Sequence, residues 1–176
     1  PGIPLINGAT HQAARLAITE ICREQQAPLF QIGMDFVYGY RPEAVRAMAS
    51  GETPMLPGSA VDVVTRGSRW ENLQIPLVGE HQAHNTALAI AAVERLQELG
   101  WNLPADAVRQ GLAALRWPGR IEVVSRCPCV IVDTAHNWAA VRAMLRTLDE
   151  TFSARRRILV FAATQDKDVR GLLRQL

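Results

Sequence analysis

The chain has 176 residues, 48% hydrophobic and 20% charged, a balance that suits one ordinary globular domain or two small ones with a real core. Its net charge of +2 is too small to argue for nucleic acid or an anionic membrane, and no apolar run approaches the roughly 20 residues that span a bilayer. No secretory signal is visible, and three cysteines (Cys22, Cys127 and Cys129) make an odd set that reads as reduced structural thiols, so the expected compartment is the cytoplasm.

The chain opens on PGIPLING, already strand-like and without an initiator methionine, and it closes on VRGLLRQL inside a helical pattern. The expectation is therefore an internal piece of a longer protein. IPLI (Ile3 to Ile6) reads as a buried strand, followed by a turn with Thr10 as a candidate N-cap. Ala14, Ala17, Ile18 and Ile21 then recur at helical spacing, and PLFQIG (Pro28 to Gly33) reads as a second strand. Strand, helix, strand with short connections predicts a parallel βαβ unit.

Met34 to Pro76 is less regular. It contains FVYGY, a short helix candidate at Pro42 to Ala49, and a turn-rich loop. Two extended pieces follow, Ala60 to Arg66 and Glu71 to Gly79, which are expected to pair as an antiparallel hairpin around Gly67-Ser68. Glu80 to Leu99 is an alanine-rich helix ended by Gly100, and a second helix runs from Pro104 to about Leu115. RWPGR then breaks helical geometry. Beyond it come strands at Ile121 to Ser125 and Cys129 to Asp133, and a helix from Trp138 to Phe152. A strand at Arg157 to Ala163 and a helix from Val169 complete the pattern. RWPGR is thus the expected linker between two α/β units.

Four polar groupings stand out. In VDTAHNWAA, Asp133 ends a strand, with His136 and Asn137 in the turn that follows. Ligands of open α/β sheets collect at such strand ends, and there a carboxylate suits a ribose hydroxyl or a cation. A helix cap by Asp133 or Asn137 is the plainer alternative. In LVGEHQAHN, His81, His84 and Asn85 share a face at the start of the long helix. An amide there suits an adenine edge, but the histidine pair lacks the HExxH order and the supporting carboxylates of a zinc site. Arg120, after Pro-Gly at the linker, can reach a phosphate bidentately or simply be solvated. Thr164 to Asp168, TQDKD, holds Lys167, the only lysine, and either borders a cleft or caps the last helix.

Taken together, LVGEHQAHNTALAIAA, RWPGRIEVV, VIVDTAHNWAA and LVFAATQDKD, in that order, resemble the folylpolyglutamate synthase and dihydrofolate synthase family of Mur-type, ATP-dependent amide ligases. The resemblance extends over the whole chain. It implies an α/β fold in which residues 1–117 are the C-terminal part of a Mur-ligase-type central ATPase domain. Residues 118–176 would begin a Rossmann-like C-terminal ligase domain.

By motif, Asn85 would read adenine, Arg120 would reach the phosphates, and Asp133 and His136 would contact the ribose and base side. The resemblance thus implies Asn85, Arg120, Asp133 and His136 as ATP-binding residues, with Asp133, His136 and Arg120 also catalytic. The implied small molecules are ATP, Mg2+, L-glutamate and a folate or dihydropteroate acceptor, joined through an acyl phosphate. Metal ligands are expected upstream rather than within the chain, because the family's P-loop is absent: no GxxxxGK followed by Ser or Thr occurs. The expectation is an inactive piece of a monomeric ligase with a sheet edge open to self-association. A muramyl ligase piece and a non-catalytic nucleotide-binding module are the alternatives. Trp138 stands where proline is common in the family.

Overall fold

A computed structural model describes residues 2–42, 58–152, 154 and 156–176. The chain begins with the expected parallel unit, β1 (Leu5–Asn7), α1 (Gln12–Glu24) and β2 (Leu29–Gln31), in which Leu5 pairs with Leu29 and Asn7 with Gln31. Thr10 is not the cap. His11 occupies that position without a side-chain bond, and the turn is held instead by Asn7, whose Oδ1 accepts the Ala9 N–H at 2.9 Å. Asn7 is buried, and its Nδ2 donates to Gln31 Oε1 at 2.9 Å, so one amide satisfies both the turn and the neighbouring strand.

The irregular middle section is a three-stranded antiparallel sheet in the order β3 (Phe36–Pro42), β4 (Ser59–Thr65), β5 (Arg69–Ile75). The β4–β5 hairpin turns at the anticipated Gly67-Ser68. Pro42, the expected start of a helix, instead ends β3 opposite Ser59; the remainder of that helix candidate lies outside the described residues. The buried residues of β5, Trp70, Leu73 and Ile75, break strict alternation. The cause is a bulge in which Glu71 and Asn72 together oppose Asp62. Asn72 takes the left-handed conformation (φ 54°), which asparagine tolerates better than most residues, and Asp62 Oδ1 accepts its N–H at 2.7 Å.

Against this sheet lies α2 (Glu80–Glu98). Ala83, Ala87, Ile90 and Ala91 fall on one stripe and meet Val61, Val63, Trp70, Leu73 and Ile75 in the main apolar cluster. Alanine along the stripe lets the helix axis approach the sheet closely, while Leu73 and Ile90, fully buried, each contribute about 1.5–3 kcal/mol of transfer free energy. The helix ends in a Schellman arrangement: Gly100, at φ 90°, donates to Gln97 O at 2.9 Å, and Trp101 donates to Leu96 O at 3.0 Å. Next, α3 (Ala105–Ala113) packs on β5, where Arg109 donates to Glu71 O at 2.9 Å and lies over the Trp70 ring.

Beyond RWPGR, β6 (Glu122–Arg126) and β7 (Cys129–Val132) form an antiparallel hairpin, followed by α4 (Trp138–Thr151) and the short α5 (Val169–Leu173). The strand expected at Arg157–Ala163 is not formed. Ile158 and Val160 are 86% and 94% exposed, and no described strand lies alongside to supply ladder hydrogen bonds. A β-rich sequence makes a strand only where a neighbouring edge completes it. The cysteines also depart from expectation: only Cys22 is buried, while Cys127 and Cys129 are exposed and free at the β6–β7 turn. Among the described residues, no helix is long and apolar enough to cross a membrane.

The hairpin turn is fastened to α2 by one buried carboxylate. Glu94 Oε1 accepts from Trp70 Nε1 at 3.1 Å, from Thr65 Oγ1 at 3.0 Å and from Ser68 Oγ. Removing it leaves the buried Trp70 N–H without its acceptor and loosens two half-buried hydroxyls, so Glu94→Ala is expected to destabilise the chain by about 1–3 kcal/mol. Urea unfolding checks this: an unshifted midpoint would mean the turn does not depend on Glu94.

Candidate functional site

The two groups of elements meet where α2 begins. Gly79, the N-cap of α2, has φ 103°, and a Cβ there would collide with Thr147 Oγ1 of α4 and lie 2.7 Å from His81 Nδ1. Glycine is therefore required both by backbone conformation and by the closeness of α4. Its N–H donates to Tyr40 Oη at 3.2 Å. Alongside, Glu80 bridges the two groups, accepting from Arg146 at 2.9 Å and from the Tyr38 hydroxyl at 3.5 Å. Burial, and then the Glu80 charge, push the Tyr38 phenol upward, which keeps it a proton donor.

The linker and the end of β7 enter the same junction. Asp133 uses both oxygens on backbone: Oδ2 accepts the Ile121 N–H at 2.9 Å, and Oδ1 accepts the Ala135 N–H at 2.7 Å. Thr134 donates through its N–H and its hydroxyl to Gly119 O, at 3.0 and 3.1 Å. Arg120 is half-buried between these fastened neighbours. His81 senses both groups. Burial lowers its pKa first, the Asp133 carboxylate raises it in part, and the Arg120 guanidinium lowers it again. Its Nδ1 is buried without a hydrogen-bond partner.

Arg120 and Asp133 thus act electrostatically on His81 at the start of α2, a residue that sequence reasoning left without a role. The signal for His81 was its place two residues after a glycine that ends a strand segment. Asn85 lies one turn further along α2, exposed, with Nδ2 donating to Gln82 Oε1 at 3.3 Å. His136 is exposed on the loop after Asp133, with Nδ1 3.1 Å from Thr134 O. Asn137 is the cap of α4, accepting the Ala140 N–H at 2.9 Å. The two α2 histidines do not converge: His84 turns the other way, Nε2 3.0 Å from Gly8 O and edge-on to Tyr38.

Two other sequence features resolve structurally. Asp168 caps α5 by accepting the Gly171 N–H at 2.9 Å, and Lys167 pairs with its neighbour Asp166, which also accepts from Thr164 and is held down to about 2 by these contacts. Trp138 opens α4 with its indole Nε1 against Gly171, 2.9 Å from where a Cβ would stand. Packing on α5 therefore secures the turn that proline would otherwise pre-set. A surface groove of about 330 Å³ lies elsewhere, on the antiparallel sheet between Arg41, Asp62 and Arg69. It is self-neutralised by the Arg41–Asp62 pair and lies apart from the junction.

Residues 119–176 match the family model described as Mur ligase, glutamate ligase domain. This stretch begins at the linker glycine and contains Arg120, Asp133 and His136. The dihydrofolate synthase/folylpolyglutamate synthase of Bacillus subtilis is 31% identical over 176 residues, covering 99% of this chain and 38% of the relative. The Mycobacterium tuberculosis protein of the same description is 40% identical over 121 residues, 68% of this chain and 25% of the relative. Among solved structures, Mycobacterium tuberculosis folylpolyglutamate synthase complexed with ADP and AMPPCP superposes with a TM-score of 0.83 at 31% identity, over 98% of this chain and 36% of that one. The apo Lacticaseibacillus casei enzyme gives 0.73 at 26% identity, over 87% and 35%. The chain belongs to the folylpolyglutamate synthase/dihydrofolate synthase family of Mur-type ligases, with the α/β architecture of the matching part of those structures. It spans well under half the length of these relatives.

The half-buried His81 carries a pH prediction. Its folded pKa lies below the ordinary 6.5, so the unfolded chain binds the extra proton more readily. Stability attributable to His81 is full above pH 6.5 and is lost as pH falls from there through the folded value. Urea titrations across that window should show the acid-side loss in the native chain and a smaller one in His81→Gln. Equal slopes would remove His81 as the source.

Proposed function

We propose that the chain is the junction-bearing part of an ATP-dependent ligase that joins L-glutamate to a folate or dihydropteroate carboxylate. Residues 1–117 complete the central ATPase domain, and residues 118–176 begin the Rossmann-like ligase domain. What supports this reading is the close approach of α4 to Gly79 at the start of α2, with Arg120 and Asp133 near enough to act electrostatically on His81 there. The complexes of relatives with ADP, AMPPCP and folate support the ligand class. The free N–H groups and positive dipole end of a 19-residue helix favour an anion there, and Arg120 adds a full cation. Asn85, one turn along, offers a donor and an acceptor to a purine edge, and in this reading Asp133 and His136 meet the ribose and base side.

The reaction is written as transfer of the γ-phosphoryl group of ATP to the acceptor carboxylate, giving an acyl phosphate and ADP. The amine of L-glutamate then attacks the acyl carbon, an amide forms, and phosphate leaves. Such chemistry depends on positioning and on neutralising phosphate charge, which is the work given to Arg120 and the α2 terminus. Magnesium is expected to assist that neutralisation, but among the described residues no three His, Cys, Asp or Glu side chains gather into a metal site. No step is therefore assigned to a metal held by this chain. The compartment consistent with this activity is the cytoplasm.

The upstream sequence of the gene tests the reading first: a glycine-rich loop ending in Gly-Lys-Ser or Gly-Lys-Thr should precede Pro1, and its absence would end the ligase assignment. The longer protein should add L-glutamate to the pterin acceptor with ATP consumption, while the pure 176-residue chain should not hydrolyse ATP. Steady ATP turnover by the chain alone would contradict the division of labour.

A further inference from the structure

Arg120 sits in a stretch of backbone that its neighbours would not adopt unaided. Gly119 has φ 71° and Ile121 has φ 49°. Glycine enters the left-handed region freely, but a β-branched residue there is crowded by its own Cβ at a cost of roughly 1–2 kcal/mol. Such strain persists only where the surroundings over-determine it. Here the determinants are the side chains at the end of β7. Asp133 Oδ2 holds the Ile121 N–H at 2.9 Å, while its Oδ1 is anchored by the Ala135 N–H at 2.7 Å. On the other side of Arg120, Gly119 O accepts twice from Thr134, and Gly119 N–H donates to Glu122 Oε2 at 2.8 Å. A Cβ on Gly119 would stand 2.8 Å from Thr134 Cγ2. Both peptides flanking Arg120 are therefore pinned to one strand end.

We propose that Asp133 is a positioning residue for Arg120: by bonding the Ile121 N–H it holds the linker in its left-handed kink and so fixes where the guanidinium enters the junction. This deepens the reading given above and rests on it, with the phosphate chain of a nucleotide as the group Arg120 meets. Charge supports the division of roles. A carboxylate near an oligophosphate repels it, so Asp133 serves an anionic ligand best through what it positions. Each of its oxygens already accepts a backbone N–H, and no ion pair among the described residues joins it to Arg120. The guanidinium is thus left for a ligand rather than consumed locally.

A double-mutant cycle tests the proposal in the protein that carries this segment with its upstream half. ATP affinity is measured for Arg120→Ala, Asp133→Ala and the double variant. Each single change should weaken ATP binding by about tenfold or more, and the double should be no weaker than Arg120→Ala alone. Additive losses would mean that Asp133 meets the ligand independently, which overturns the proposal.

The second arm reads the brace directly in the 176-residue chain. Amide exchange at Ile121 should accelerate in Asp133→Ala while Val61 and Val63, in the core sheet, keep their protection. Unchanged exchange at Ile121 also overturns the proposal. If Asp133→Ala does not fold, Asp133→Asn takes its place in both arms, since its amide keeps one acceptor but sets a donor against the other N–H. An Arg120→Ala variant with unaltered ATP affinity would instead defeat the nucleotide reading itself, and the positioning role with it. Additivity or unchanged exchange beside an intact Arg120 effect defeats the positioning role alone.

Discussion

The closeness of α4 to the start of α2 governs how the rest of the molecule can be arranged. Gly79 has no room for a side chain, because Thr147 and His81 crowd the position where its Cβ would stand. That single approach determines which loops face each other across the junction. It places Glu80 within reach of Arg146 and brings the strand end carrying Asp133 into the electrostatic surroundings of His81. The Glu80–Arg146 pair is exposed and worth at most about 1 kcal/mol, so it orients the contact more than it stabilises it. Steric fit at a glycine, rather than ion pairing, sets the geometry.

The two sides of this junction are supported very differently. On one side, α2 is anchored by an apolar stripe against a three-stranded sheet and by the Glu94 carboxylate that gathers Thr65, Ser68 and Trp70. On the other, the β6–β7 hairpin, α4 and α5 bury few large side chains, Val141 and Leu172 among them, while Val124, Val130 and Val132 stay exposed. Order on that side comes from polar bonds to backbone: Asn137 capping α4, Asp168 capping α5, and Asp133 and Thr134 holding the linker. A rigid helix start thus faces a frame that is fixed locally by hydrogen bonds. Such a frame can keep its internal shape while its packing against the rest of the protein changes.

How much was legible in the sequence follows from the range of the interactions involved. The long helix, the βαβ unit and the hairpin around Gly67-Ser68 rest on local periodicity and turn chemistry, and they were readable to within a few residues. β3 was not, because its partner β4 lies beyond a long intervening segment and only pairing defines it. The Asn72 bulge was hidden for a related reason: a shift in register shows in a sequence only as broken alternation. Arg157–Ala163 failed in the opposite direction, since its composition is that of a strand but no described neighbour completes it. Arg120, Asp133 and Asn85 could be picked out by motif and position. The role of His81 could not, since nothing local to LVGEHQ says that α4 closes over it.

The motif residues also show why a site split between two frames resists reading from either half alone. Within its own loop, Asp133 looks like a turn carboxylate, and by hydrogen bonding it is one. Its two acceptor bonds are local, one on each oxygen. What distinguishes it from an ordinary turn is the residue it restrains. A β-branched Ile121 forced to φ 49° immediately after an arginine is a costly way to build a turn that glycine could make freely. Isoleucine is nonetheless buried there, at 4% exposure, so the same residue also fills interior space. One side chain fills space, one carboxylate holds the resulting kink, and the arginine between the pinned peptides has no ion-pair partner among the described residues. The fold of this linker and the proposed placement of Arg120 therefore rest on the same few bonds, and loosening any of them should be felt first in the direction of Arg120 and only afterwards in the stability of the fold.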